Sequence, residues 1–78
     1  MKVTIYISPE FNACVEVKQY LQNLGLHFEE IDVSRDHLAW ENMVRKSQQM
    51  SVPVVEIDDQ IIIGFDRFRL KKLLESNF

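Results

Sequence analysis

Apolar residues first crowd into an extended run, Val3-Thr4-Ile5-Tyr6-Ile7, which stops at Ser8-Pro9. β-Branched and aromatic side chains suit a pleated strand and proline cannot continue a central ladder, so the run predicts a first strand over 2–7. From residue 12 the period becomes helical. Cys14, Val17, Leu21 and Leu24 fall on one stripe, with Asn12 as N-cap and Asn23 and Gly25 as terminators. A second strand is expected over 26–33, with Phe28, Ile31 and Val33 as buried positions among acidic ones. A helix between two strands makes a crossover that sets those strands parallel.

Ser34 can cap a second helix, with Asp36 in its first turn. Leu38, Ala39, Met43, Val44 and Ser47 are available for its inner side, with Trp40 and Met50 extending that contact. Gln48 to Ser51 forms the loop out. Two short β runs, 52–57 and 60–63, then flank Asp58-Asp59 and read as an antiparallel hairpin whose turn type Asp-Asp leaves open. Asp66 caps a last helix, Phe65 and Leu70 staple its start, and Leu70, Leu73 and Leu74 form its buried stripe. The order is βαβαββα in a single α/β domain over 1–78. Each apolar face needs a partner layer, so three helices must flank a mixed four-stranded sheet.

Composition narrows the class. Apolar residues make up 46% and charged ones 27%, which is globular and far from the disordered corner. A formal charge of −3 argues against a nucleic-acid partner, which calls for a basic stripe. The cations Arg67, Arg69, Lys71 and Lys72 are read as a solvated helix face. The opening residues show no apolar leader and no run reaches membrane-spanning length, so a cytoplasmic protein without membrane contact is expected. A single cysteine excludes an internal disulfide and fits a reducing compartment. His27 and His37 lack ligand spacing with it, and no metal site is expected.

That cysteine, Cys14, lies near a helix start, where unpaired N–H groups and the peptide dipole favour thiolate. It also lies on the apolar stripe, where burial raises a thiol pKa and makes the residue a small core side chain. Glu10 disfavours thiolate and Lys18, one turn on, offsets it. Both readings, structural and redox, stand at this level.

Ser8-Pro9 ahead of the Phe11-x-x-Cys14 helix start, Ser51-Val52-Pro53 opening the third strand, and Gly64-Phe65-Asp66 opening the last helix together resemble the glutaredoxins. The likeness spans essentially the whole chain, and it is closest to the short bacterial glutaredoxin-like redoxins, including hydrogen donors of ribonucleotide reductase. It implies a thioredoxin-like fold and thiol–disulfide chemistry through Cys-x-x-Cys, the first cysteine attacking and the second resolving. Phe11 occupies the attacking position and Cys14 the resolving one. A benzyl group can neither attack a disulfide nor leave from one, so ordinary turnover is not expected.

The resemblance further implies a cis proline at Val52-Pro53 whose preceding residue pairs with an extended peptide or with glutathione. It places the γ-glutamyl end of glutathione at Phe65-Asp66, where a helix N-terminus suits a carboxylate. Family members that bind glutathione well carry a second acidic residue next, and this chain has Arg67. The expected groove comprises Phe11, Asn12, Val52, Pro53, Phe65 and Asp66, with Phe11 either exposed as an anchor or folded down as a plug. Two functions follow: a monomeric module that binds a protein or peptide without reductase turnover and needs no cofactor, or a monothiol redox protein that forms a mixed disulfide on Cys14.

Overall fold

Alternation along the first strand decides the layering. The computed structural model describes residues 1–76 and comprises β1 (Val3–Ile7), α1 (Asn12–Asn23), β2 (Glu29–Asp32), α2 (His37–Ser47), β3 (Val54–Ile57), β4 (Gln60–Ile63) and α3 (Arg67–Glu75), the predicted order. Val3, Ile5 and Ile7 turn to one face of the sheet, where they pack with Cys14, Val17 and Leu21 of α1, Val55, Ile57 and Ile62, and Leu70 and Leu74 of α3. Tyr6 turns to the other face and packs with Ala39 and Met43 of α2, Val33 and Val54. The period of two in the strand thus meets the helical stripe on each side.

The sheet runs β2-β1-β3-β4. β1 is parallel to β2, with Ile7 beside Asp32, and antiparallel to β3, with Val3 beside Ile57. β3 and β4 form the antiparallel hairpin, Val55 opposite Ile62. The turn between them is tied to the chain's beginning: the Lys2 N–H donates to Asp58 Oδ1 at 2.9 Å, and the Asp58 N–H donates to the Lys2 carbonyl at 2.8 Å. Asp58 takes φ +53°, a value that aspartate tolerates through its short polar side chain.

Helix ends differ from expectation by one or two residues. The residue before α1 is Phe11, with extended backbone and no side-chain cap, so Asn12 begins the helix instead of capping it. Asp36, not Ser34, caps α2 by accepting the Ala39 N–H at 3.1 Å; Ser34 is held by Asp32 in the preceding turn. Leu38 is 71% exposed instead of facing the core, because the buried stripe of α2 runs Ala39, Met43 and Ser47 with Trp40 and Val44 on its flank, and Leu38 lies off the opposite side. Leu24 falls past the last turn of α1 and is exposed. Gly25, at φ +71°, closes that end: its N–H donates to Gln22 O and the Leu26 N–H reaches Leu21 O, the paired bonds of a Schellman motif. β2 is shorter than 26–33, and β3 begins only after Pro53. Asp66 does cap α3, accepting the Arg69 N–H at 3.1 Å.

Candidate functional site

The site begins where β1 hands over to α1. Ser8 O accepts the Phe11 N–H, and Phe11 O accepts the N–H groups of Cys14 and Val15, so the connecting turn is fixed by its own backbone. This geometry sends the Phe11 side chain outward, 52% exposed, and the Cys14 side chain inward, 1% exposed. The Ser8 N–H lies 3.5 Å from Cys14 Sγ. Burial pushes the Cys14 thiol above its ordinary value, and the Ser8 N–H pulls it partway back. Glu10 accepts from Ser8 Oγ at 2.9 Å, and Lys18 pairs with Glu30 at 3.0 Å, so Lys18 is committed to β2.

Beside Phe11 opens a groove of about 310 Å³. Ser8, Glu10 and Phe11 come from the loop before α1, Val33 and Ser34 from the end of β2, Trp40 from α2, and Met50, Ser51 and Val52 from the loop into β3. The Val52–Pro53 peptide is cis. Apolar side chains dominate these walls, and Met50 is 74% exposed. A concave, largely apolar surface with aromatic walls suits an extended segment carrying apolar side chains. A second hollow, about 340 Å³, lies on the other side of the α1 start between Pro9, Val15, Lys18 and Glu30, with Cys14 at its base.

Of the expected groove residues the structure brings only Phe11 and Val52 onto the groove walls; Asn12, Pro53, Phe65 and Asp66 do not line it. Pro53 is buried behind Val52. Asn12 is exposed at the first position of α1, outside the groove walls. Phe65 packs edge-on against Tyr20, ring centroids 5.7 Å apart, and the Asp66 carboxylate is engaged in its cap. Arg67 lies over the Tyr20 ring at 5.5 Å. His27 is exposed and His37 pairs with Glu41 at 2.9 Å. Among the described residues no cluster of three or more His, Cys, Asp or Glu side chains could hold a metal, and no helix is long and apolar enough to cross a membrane. Val33 and Trp40 pack with the α2-face cluster as expected and line the groove as well, whereas Met50, expected to extend that contact, is exposed. In the sequence the wall role is signalled only by the apolar Met50 two residues ahead of Val52-Pro53.

A polar network occupies the opposite end of the α2 face. The Tyr6 hydroxyl donates to Glu56 at 3.2 Å, and Lys46 donates to both the Tyr6 oxygen and Glu56, at 3.2 and 3.1 Å. The bonds from Lys46 to Tyr6 and Glu56 raise its pKa above the ordinary lysine value, against a smaller opposing effect of burial.

A sheet ordered β2-β1-β3-β4 with α1 and α3 on one face, α2 on the other and a cis proline leading into β3 is a thioredoxin-like fold. The chain belongs to the glutaredoxin family, whose model matches residues 3–62. It is 36% identical over 74 residues to an uncharacterised glutaredoxin-like 8.6 kDa protein in the rubredoxin operon of Clostridium pasteurianum, covering 95% of this chain and 99% of that one. A crystal structure of a thioredoxin-like protein superposes with a TM-score of 0.87 at 32% identity, covering 92% of this chain and 99% of the other. The glutaredoxin-like NrdH-redoxin from Escherichia coli gives a TM-score of 0.84 at 30% identity, covering 94% and 95%. The protein is therefore of the glutaredoxin-like thiol redox family.

Proposed function

We propose that this family member is a cytoplasmic binding module for extended peptide segments with apolar side chains, and that it does not turn over disulfides. The observation that supports this reading is the inversion at the start of α1: an aromatic ring at 52% exposure and, three residues on, the only sulfhydryl at 1%. Phe11 stands where the family's attacking thiolate stands. Disulfide exchange needs a thiolate that reaches a sulfur, and burial of Cys14 works against both ionisation and approach. What the chain retains is the recognition surface. Phe11, Trp40 and Met50 offer anchors, and the segment leading into cis Pro53 offers strand-like pairing that needs no thiol.

The mixed-disulfide alternative requires the start of α1 to open before Cys14 can react. Glutathione is not needed as a ligand. Asp66 is committed to the Arg69 N–H, and Arg67 follows it in place of a second acid.

The test compares the wild-type protein with Phe11→Cys in glutathione-coupled disulfide reduction, and follows fluorescence of the single tryptophan, Trp40, while an extended apolar peptide is added. Wild-type turnover at background, activity gained by Phe11→Cys and saturable perturbation of Trp40 are expected. Turnover by the wild type, with iodoacetamide labelling of Cys14 at an apparent pKa below about 8.5, would make it a single-thiol redox protein instead.

A further inference from the structure

The chain carries three methionines and one cysteine, and their four sulfur atoms stand in different surroundings. Met43 is enclosed in the α2-face cluster and Cys14 lies under the start of α1. Met1 is 52% exposed at the chain's beginning and belongs to no wall of the groove. Met50 is the most open of them at 74%, and it stands in the groove wall. The sulfur that solvent reaches at the groove is therefore a thioether, not a thiol.

Backbone geometry holds it there. Gln48 takes φ +59° and closes α2 by donating its N–H to Val44 O at 2.8 Å. The Ser47 hydroxyl accepts the Gln49 N–H at 3.2 Å while donating to Met43 O at 2.7 Å. Met50 thus leaves a pinned turn three positions ahead of Pro53, and the core position under α2 is already filled by Met43. With Trp40 it forms the wall common to two hollows: the groove by Phe11 and Val52, and a neighbouring one of about 350 Å³ that reaches Val44 and Arg45.

We infer that Met50 is a modification site, and that oxidation of its thioether to the sulfoxide by a peroxide closes the groove to apolar segments. The inference rests on the reading of the groove as a site for apolar peptide segments. In the step, a sulfur lone pair of Met50 attacks one oxygen of hydrogen peroxide. The O–O bond breaks, an Sδ–O bond forms, and the second oxygen leaves as water with both of the peroxide's hydrogens; sulfur is oxidised by two electrons and the peroxide is reduced by two. No proton leaves the side chain, so the reaction needs no thiolate. Cys14 does need one, and its burial opposes both ionisation and approach.

The sulfoxide is polar and a strong hydrogen-bond acceptor. Apolar side chains of a bound segment offer it no donor, so a contact that stabilised the complex becomes a desolvation cost. The change is reversible. A methionine sulfoxide reductase removes the oxygen as water while a pair of thiols is oxidised to a disulfide.

Limited treatment with hydrogen peroxide, followed by mass spectrometry of proteolytic fragments and calorimetry with an extended apolar peptide, tests it. The expected result is one oxygen atom on Met50 while Met43 and Cys14 stay unmodified, with affinity lowered about fivefold or more. Methionine sulfoxide reductases acting on both epimers, supplied with dithiothreitol, restore the affinity. Met50→Leu, which keeps the exposed Met1, has the same affinity before and after peroxide, whatever that affinity is. Oxygen gained by Cys14 or Met43 while Met50 stays unmodified would overturn the inference, as would unchanged affinity of protein oxidised at Met50 or a loss that persists in Met50→Leu. Failure of the untreated protein to bind the peptide would sink the groove reading and this inference with it, an outcome read before any peroxide is added.

Discussion

The two faces of the sheet draw on the same strands and are finished differently. On the α1 and α3 face, Ile5, Val17, Leu21, Ile62 and Leu70 are fully buried in one continuous apolar layer. On the α2 face a single helix covers the middle and leaves both ends unroofed, one as the groove by Phe11 and Val52, the other as the Tyr6, Lys46 and Glu56 network. The difference separates two tasks. A domain of this size has only about 5–15 kcal/mol of stability in all, so concentrating close packing on one face lets the other carry exposed apolar and polar surface. In the reading proposed above, recognition belongs to the unroofed face.

Substitutions on each face sharpen or break that contrast. Leu21→Ala should cost about 3–4 kcal/mol in urea unfolding, because it empties a fully enclosed site in the thick layer. Met43→Ala, equally buried in the smaller cluster, should cost about 2 kcal/mol, since neighbours of a flexible thioether collapse more readily. Equal losses would mean that the two faces contribute alike. Trp40→Ala should lower stability by about 1 kcal/mol yet weaken peptide binding, followed by calorimetry, at least tenfold. The reverse pattern would make Trp40 a core residue of the same kind as Leu21.

Tyr6→Phe removes the buried hydroxyl between Lys46 and Glu56 and should cost about 1 kcal/mol near neutral pH. Lys46 has its pKa raised on folding. Its contribution is therefore complete below the unfolded value of about 10.4 and is lost as pH rises through the raised one. The difference between wild type and Tyr6→Phe should accordingly shrink in alkali. Cys14 gives the smallest signal. Its thiol pKa is also raised by folding, so wild-type stability should begin to fall as pH passes about 8.5, and Cys14→Ala should remove that slope. A slope that survives the substitution would assign it to another group.

Patterns confined to one element were legible in the sequence. The stripe Cys14, Val17, Leu21 and the alternation of Val3, Ile5 and Ile7 fixed which residues pack together, and Asp66 was read as the cap it is. Competition between neighbouring polar residues was not. Ser34 and Asp36 are both good caps, and the choice went to Asp36 because Asp32 holds Ser34 in the preceding turn. The phase of α2 is set by Ala39 and Met43 packing on Tyr6 and Val54, and it leaves Leu38 facing water. The groove was least legible, since its walls come from residues 8–11, 33–40 and 50–52, which no local period connects. Phe11 had two open conformations in the sequence, and only the fixed turn from Ser8 to Val15 sends it outward.

Synthesis orders the strands differently from the sheet. β1 leaves the ribosome first, but Val3 waits for Ile57 and Lys2 for Asp58 before the centre of the sheet and its clasp can close. At about 5–20 residues per second that wait lasts on the order of several seconds. Throughout it, the strand that will be central stands without its antiparallel neighbour. A nascent chain stalled before Val54 should therefore present Ile5, Tyr6 and Ile7 to chaperones and proteases, and gain protection abruptly once the hairpin has emerged.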